Sequence, residues 1–148
     1  MSALQLTSTV RRMYEEVLNR GNLDILNEIY AAQFVNHNAP PGTPSGLEGI
    51  RQSVTACRRA FPDWHETIDT IRVKDDKIVI MSTMRGTHSG QWYGIAPTGR
   101  RIMARRVSIL RAVNGKIVER WGSQDDFGLL RQIGAIPTRQ QLLMAFAG

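Results

Sequence analysis

The chain has 148 residues, 42% of them apolar, an ordinary makeup for one globular domain with a sizeable core, so a single domain over residues 1–148 is expected. Lys and Arg outnumber Asp and Glu by 19 to 13, a net charge of +6 that on charge alone admits phosphate binding. Yet the densest basic stretch, Gly99 to Arg106, has no interleaved aromatic residues on which bases could stack. No recognition-helix or zinc-finger pattern accompanies it, so no specific nucleic-acid partner is expected. The amino-terminal stretch has no apolar segment before its charges begin, and no eighteen apolar residues run together; a cytoplasmic protein without a membrane partner is the expectation. The single cysteine, Cys57, has no internal partner and lies on the apolar stripe of a helix, where it reads as a small buried hydrophobe.

Val10, Met13, Tyr14, Val17 and Leu18 recur at helical spacing and predict a first helix ending near Gly21. Leu26, Ile29, Tyr30 and Phe34 hold the same period and predict a second, shorter one. It breaks into VNHNAPPGTPSG, whose prolines and glycines cannot continue a helix. Ser45 and Glu48 have the spacing of a capping box, and Leu47, Ile50, Val54, Cys57 and Phe61 give a third helical stripe that Pro62 stops. From there the pattern changes to strands: HETIDTIRV, KIVIMSTMRGTHSG, RIMARRVSILRAV and KIVERWGSQ. Asp75-Asp76 and Asn114-Gly115 suit tight hairpins, because Asn-Gly tolerates the positive φ angles of a type I′ turn. FGLLRQIG and TRQQLLMAFAG then read as two short helices. The fold class is therefore α+β: a cone-shaped barrel in which helices pack inside a curved, mostly antiparallel sheet, with an apolar interior that could take a small ligand.

Strand alternation along KIVERWGSQDD puts Ile117, Glu119, Trp121, Ser123 and Asp125 on one face, which Ile117 and Trp121 mark as the interior. In an unbroken strand Asp125 then points into the pocket while Asp126 caps the following helix. The alternative is that both acids do only capping and turn work. On the middle strand Val79, Met81 and Thr83 alternate with Ile80, Ser82 and Met84, so both sheet faces carry apolar residues. The outer face then needs cover, and a homodimer through it is expected.

The stretch GTHSGQWYGIAPTGRR, the R-x-x-x-G-K-I of RAVNGKI and the ending W-x-x-x-D-x-x-G-L-L-x-Q-I-G resemble the SnoaL-like polyketide cyclases over roughly Val10 to Pro137. The resemblance implies the α+β cone of the nuclear transport factor 2-like superfamily, which cyclases, ketosteroid isomerases, epoxide hydrolases and non-catalytic binding domains share; the fold alone leaves the function open. It also implies aldol-type ring closure with neither metal nor cofactor, an aspartate acting as acid/base, and it places that aspartate at Asp125. A carboxylate of ordinary pKa, ~3.9, is a poor base for a C–H proton, so such chemistry needs a dry pocket and donors for the enolate. Where those cyclases carry a helping histidine, this chain has Ser108. Arg106 shares its strand face, suits an anionic or oxygen-rich ligand, and puts aromatic polyketide closure in doubt.

His88 is a second catalytic candidate, able to polarise a carbonyl or orient Asp125, against the alternative of a satisfied histidine at a strand end. His37, Tyr14, Trp92 and Trp121 are candidate pocket residues with Arg106 and Ser108, Tyr14 as a hydroxyl donor; as members of apolar stripes they could equally be simple core. His65 reads as surface. His37, His88 and Asp125 could form a two-histidine, one-carboxylate metal set, but no close ligand spacing supports it, and no metal is expected. The leading function is cofactor-free acid/base chemistry, of cyclase or isomerase type, on a small hydrophobic carbonyl compound. The alternatives are a non-catalytic ligand-binding module and an epoxide hydrolase built on Arg106, Asp125 and Glu119.

Overall fold

Ser2 starts the first helix through a reciprocal capping box: its hydroxyl accepts from the Gln5 amide at 3.1 Å while the Gln5 side chain accepts from the Ser2 amide at 2.8 Å. The computed structural model, which describes residues 2–145, shows this helix, α1, over Ala3–Arg12, continuing without a break into a π-helical turn over Met13–Leu18. The predicted stripe is its buried face, with Val10, Met13, Tyr14 and Val17 all inside.

The second predicted helix is mostly a strand. Only Leu26–Ile29 (α2) is helical, and Tyr30–Asn36 forms β1. Tyr30 and Phe34, which fitted a helical period, are both buried, and the same spacing serves an extended chain whose partner lies far away in sequence. Helix α3 covers Leu47–Ala60. The Ser45–Glu48 capping box does not form: the N-cap is Gly46, without a side-chain bond, and the Ser45 carbonyl instead accepts the Asn36 amide at 2.7 Å.

Four long strands follow, β2 (His65–Lys74), β3 (Lys77–Thr87), β4 (Arg101–Val113) and β5 (Lys116–Gln124), then α4 (Asp126–Gln132) and α5 (Arg139–Ala145). They make a curved five-stranded sheet in the order β1-β5-β4-β3-β2, antiparallel except where β1 pairs β5 in parallel. Asn114 and Gly115, at φ 50° and 80°, make the β4–β5 turn with the two positive φ angles of type I′.

One irregularity redirects the end of the chain. Arg111 pairs with Glu119 but Ala112 pairs with Ile117, so Val118 is an extra residue, a β-bulge. Ile117 and Val118 are both buried, and beyond them the alternation inverts. Arg120, opposite Leu110, now faces the cone; Trp121, opposite Ile109, faces out. The expectation that Glu119, Trp121 and Asp125 look inward is thereby corrected, because a single inserted residue turns every later side chain to the other face.

Two apolar clusters fill the cone. One gathers Val10, Val17, Leu26, Ile29, Ile78, Ile80, Leu110 and Ile117 between α1, α2 and the sheet; the other gathers Phe61, Trp64, Met84, Trp92, Ile102, Leu129 and Ile133 under α4.

Candidate functional site

Between the two apolar clusters the inner sheet face carries a row of polar side chains. Glu66 projects from β2, Ser82 from β3, Arg106 and Ser108 from β4 and Arg120 from β5, all on the inward parity of their strands. Glu66 is 1% exposed. One carboxylate oxygen accepts from the Ser82 hydroxyl at 2.6 Å and the other from Arg106 Nη2 at 2.8 Å. Asn19, just after the π turn, holds the Glu66 backbone from both sides: its amide nitrogen donates to the Glu66 carbonyl at 2.9 Å, and its side-chain oxygen accepts the Glu66 amide at 2.7 Å. The π turn, closed by the Asn19 amide donating to the Tyr14 carbonyl at 2.9 Å, packs Tyr14 against this row, with its hydroxyl toward Ser82 and Ser108.

Electrostatics follow from burial. Desolvation first, and the Glu66 charge second, raise the Tyr14 pKa, so its hydroxyl stays a proton donor across the neutral range. Burial works against the Arg106 charge, but the Glu66 carboxylate outweighs it and the guanidinium holds its proton more tightly. Arg120 differs: burial and then the neighbouring Arg106 charge weaken its hold on the proton. Its guanidinium donates to the Ser108 hydroxyl at 3.2 Å and to the Asn36 side-chain oxygen at 3.3 Å. It lies across Gly122, where any Cβ would collide with it.

Arg106 also lines a cleft of about 60 Å³ whose other walls are Leu18, Ser53, Val54, Cys57, Arg58 and Trp64. Burial pushes the Cys57 thiol up, which keeps it protonated and inert.

The residues singled out in the sequence divide by location. Tyr14, Arg106 and Ser108 meet in the polar row. Asp125 does not: it is exposed, and its carboxylate accepts the Gly128 amide at 2.8 Å as the N-cap of α4. Asp126, expected to be exposed or capping, is exposed and accepts from Gln124 at 2.6 Å; the inverted parity beyond the bulge turns Asp125 away from the interior. His88 is fully buried in the second cluster, 5.6 Å from the Phe61 ring by centroids. Its Nδ1 lies 3.0 Å from the Thr98 hydroxyl and 3.3 Å from the Thr98 amide, and its Nε2 is buried with no partner among the described residues. Trp92 packs edge-on against Phe61 in the same cluster. His37 and Trp121 stack on each other at 4.8 Å on the outer face, beside a groove of about 290 Å³ lined by Asn38, Val107, Ile109 and Trp121.

His37 therefore lies on the opposite side of the sheet from His88, and the possible two-histidine, one-carboxylate set is not assembled. The set Arg106, Asp125 and Glu119 is not assembled either. Arg106 pairs with Glu66, and Glu119 pairs with Arg111 at 2.8 Å and His37 at 3.6 Å. Sequence reasoning missed Glu66, Arg120 and Asn19. For Glu66 a signal existed, since it shares the strand parity of Ile68 and Met84 is its cross-strand neighbour; a carboxylate on the apolar side of a strand calls for a partner.

The helix-filled cone is shared with proteins of known structure. The model of the SnoaL-like polyketide cyclases matches residues 8–133, and the chain belongs to that family. It is 29% identical over 129 residues to the aklanonic acid methyl ester cyclase DnrD of Streptomyces peucetius, a match covering 84% of this chain and 88% of that one. It is 27% identical over 119 residues to the nogalonic acid methyl ester cyclase of Streptomyces nogalater, with 78% and 88% covered. Among solved structures, TsrD of Streptomyces laurentii superposes with a TM-score of 0.84 at 25% identity, covering 92% of this chain and 99% of that one. IdmH of Streptomyces antibioticus does so with 0.77 at 33% identity, covering 88% and 99%.

Proposed function

We propose that the chain is a small-molecule enzyme performing acid/base chemistry, of aldol-cyclase or isomerase type and without a cofactor, on a hydrophobic carbonyl compound that meets the polar row through the Arg106 cleft. The observation that carries this reading is the row itself: a phenol kept protonated and a guanidinium fixed by a buried carboxylate, set between apolar clusters. Tyr14 and Arg106 supply donors for a carbonyl oxygen that becomes an enolate, in a low-dielectric setting where such donors act most strongly. Glu66 is a positioning residue, since both of its oxygens are engaged and it has no exposed surface.

The proton is moved by a carboxylate at the β5–α4 junction. We assign this role to Asp126, because β5 ends with Gln124 paired to Arg106 and Gln124 donates to Asp126 at 2.6 Å, whereas Asp125 is engaged in capping. The family's cyclases, including DnrD and the nogalonic acid methyl ester cyclase, support ring closure as the reaction class. A cleft of about 60 Å³ is well under the roughly 300 Å³ of ordinary ligand pockets, so this reading requires the cleft to widen when a ligand binds.

The test is enzyme-dependent exchange of α-protons for deuterium, followed by NMR in D2O, across a panel of 1,3-diketones and β-keto esters. Exchange above the buffer rate in at least one, abolished by heat denaturation, is expected. Ligand binding without exchange in any of them would instead make the chain a binding module.

A further inference from the structure

Among the described residues, three that are not glycine hold a positive φ: Asp75 at 56°, Asn114 at 50° and Tyr93 at 49°. Aspartate and asparagine tolerate this conformation, because a short polar side chain can bond locally. A tyrosine has no such help, and its surroundings must hold it there. Tyr93 and Gly94, the latter at φ 77°, form the tip of a tight turn in the loop between β3 and β4, where Trp92 and Ile95 exchange backbone bonds at 3.1 and 2.9 Å. The hairpin at Asn114-Gly115 fills the same position with asparagine. The turn therefore does not ask for an aromatic ring. Burial does not ask for one either, since Tyr93 is 71% exposed.

The loop is fastened at its base and loose at its tip. At the base, the His88 amide donates to the Arg100 carbonyl and the Gly99 amide to the His88 carbonyl, both at 2.8 Å, while the Ser89 and Gly90 amides share the Ala60 carbonyl at the end of α3, each at 2.9 Å. From Gln91 to Pro97 no backbone bond leaves the segment among the described residues. Packing alone holds the tip: Trp92 is buried edge-on to Phe61 at 5.5 Å, and Ile95 packs on the same cluster. Segments with so few bonds to the rest of a fold are the ones that open at low cost. Phe61 in turn meets Trp64, with ring centroids 5.8 Å apart, and Trp64 is a wall of the cleft. Lifting Trp92 frees Phe61 and then Trp64, which is the widening that ligand binding requires.

We propose that the β3–β4 loop is the movable wall of the ligand cleft and that Tyr93 is a specificity-determining residue, its ring laid against the apolar body of the bound compound. The inference rests on the cleft being the ligand site proposed above. Tyr93 stacks beside Trp92 at 4.9 Å, so the side chain that plugs the cluster and the ring offered outward move together. A strained, exposed aromatic ring on a loosely held loop is what a ligand contact looks like before its ligand arrives.

Calorimetric titration of the full chain with methyl benzoylacetate, a β-keto ester, tests the contact. Exchange of its α-protons leaves the compound unchanged, so binding is measured whether or not it reacts. Tyr93→Asn should raise Kd, and KM for exchange, about three- to tenfold, the worth of an aromatic contact, with kcat within about twofold of the wild type. Tyr93→Phe keeps the ring and should keep the wild-type values. Because asparagine suits the positive φ, Tyr93→Asn should melt no more than about 2 °C below the wild type. No measurable binding of the ester, an unchanged Kd in Tyr93→Asn, or a larger fall in its melting temperature, which would make the ring a structural prop, overturns the assignment. Amide hydrogen exchange tests the loop in the unmodified protein: the tip from Gln91 to Ala96 should exchange at least about 100-fold faster than β3 and β4, and protection equal to theirs would overturn the movable wall. Weaker binding to Tyr93→Asn with no α-proton exchange by the wild type leaves the loop assignment standing and removes the reaction assigned above. Exchange whose KM the variant does not alter has the opposite meaning.

Discussion

Replacing Glu66 by Gln removes one charge from the interior and almost no volume. In the wild type the Glu66 carboxylate is 0% exposed at its side chain and Arg106 17%, so the pair is largely shielded from water. The glutamine oxygen can still accept from Ser82, now 2.6 Å from the carboxylate. Its amide nitrogen then meets Arg106, a donor facing a donor where an ion pair stood at 2.8 Å. Breaking a buried pair by removing one partner costs about 3–5 kcal/mol, because the surviving charge is left uncompensated. Arg106 opens onto the cleft and water can partly solvate it there, which places the expected loss near the low end, about 3 kcal/mol. For a chain of this size each kcal/mol shifts the melting temperature by about 2–4 °C, so a drop of roughly 6–12 °C follows. Calorimetry or circular dichroism at neutral pH measures it. The double variant Glu66→Gln/Arg106→Gln should recover most of the loss, since it strands neither partner. A shift under about 2 °C in the single variant, or a double variant that falls by the sum of both singles, would refute the reasoning that Glu66 holds Arg106 in place.

Gly122→Ala should cost about 1.5–3 kcal/mol in urea denaturation, because the new Cβ would lie 2.9 Å from the Val107 carbonyl and push Arg120 off Ser108 and Asn36; a loss under about 0.5 kcal/mol would mean that Arg120 contributes little there. Tyr14 has a folded pKa raised above its unfolded value by burial, so its contribution to stability is complete below about pH 10 and is lost as the pH rises through the folded value. Tyr14→Phe should therefore flatten the fall of stability above about pH 10, and an unchanged slope would contradict the burial argument. Val79, Met81, Met103 and Val107, 38–56% exposed on the outer sheet face, should bring two copies together, so light scattering should show a dimer that Met81→Glu/Val107→Glu converts to the 16.6 kDa monomer; a wild-type monomer at micromolar concentration would exclude that interface.

The α+β class, the helical stripes of α1 and α3 and the Asn114-Gly115 hairpin were legible because each is a local signal: a period, a stop, a turn that demands positive φ. Strand β1 was not. Its apolar residues Tyr30 and Phe34 satisfy a helical spacing, and the partner that makes them extended is β5, more than eighty residues away in the pairing of Tyr30 with Ile117. The site suffered most from the bulge at Val118. Nothing in KIVERWGSQ announces an inserted residue, and with one present Arg120 moves from the outside to the interior while Trp121 and Glu119 make the reverse exchange. The inward placement of Arg106 and Ser108 was legible because β4 is regular through those positions, and that of Tyr14 because it stays on the apolar stripe into the π turn. Glu66 was passed over although its parity on β2 put it among apolar neighbours, and Arg120 could not be found without the register.

Carboxylate variants at the β5–α4 junction test most directly whether the polar row and its rim form a site of proton transfer. With any carbonyl compound whose α-protons the wild type exchanges, the rate constant for exchange is measured for Asp126→Asn and for Asp125→Asn, the latter retaining a side chain that caps helices as well as aspartate does. Loss of a general base at the rim should slow exchange by Asp126→Asn at least about 100-fold, the lower end of what such groups contribute, while Asp125→Asn stays within about threefold of the wild type, or 0.7 kcal/mol in the barrier. The reverse pattern would return the role to Asp125, and full activity in both variants would contradict carboxylate-driven proton transfer at this junction.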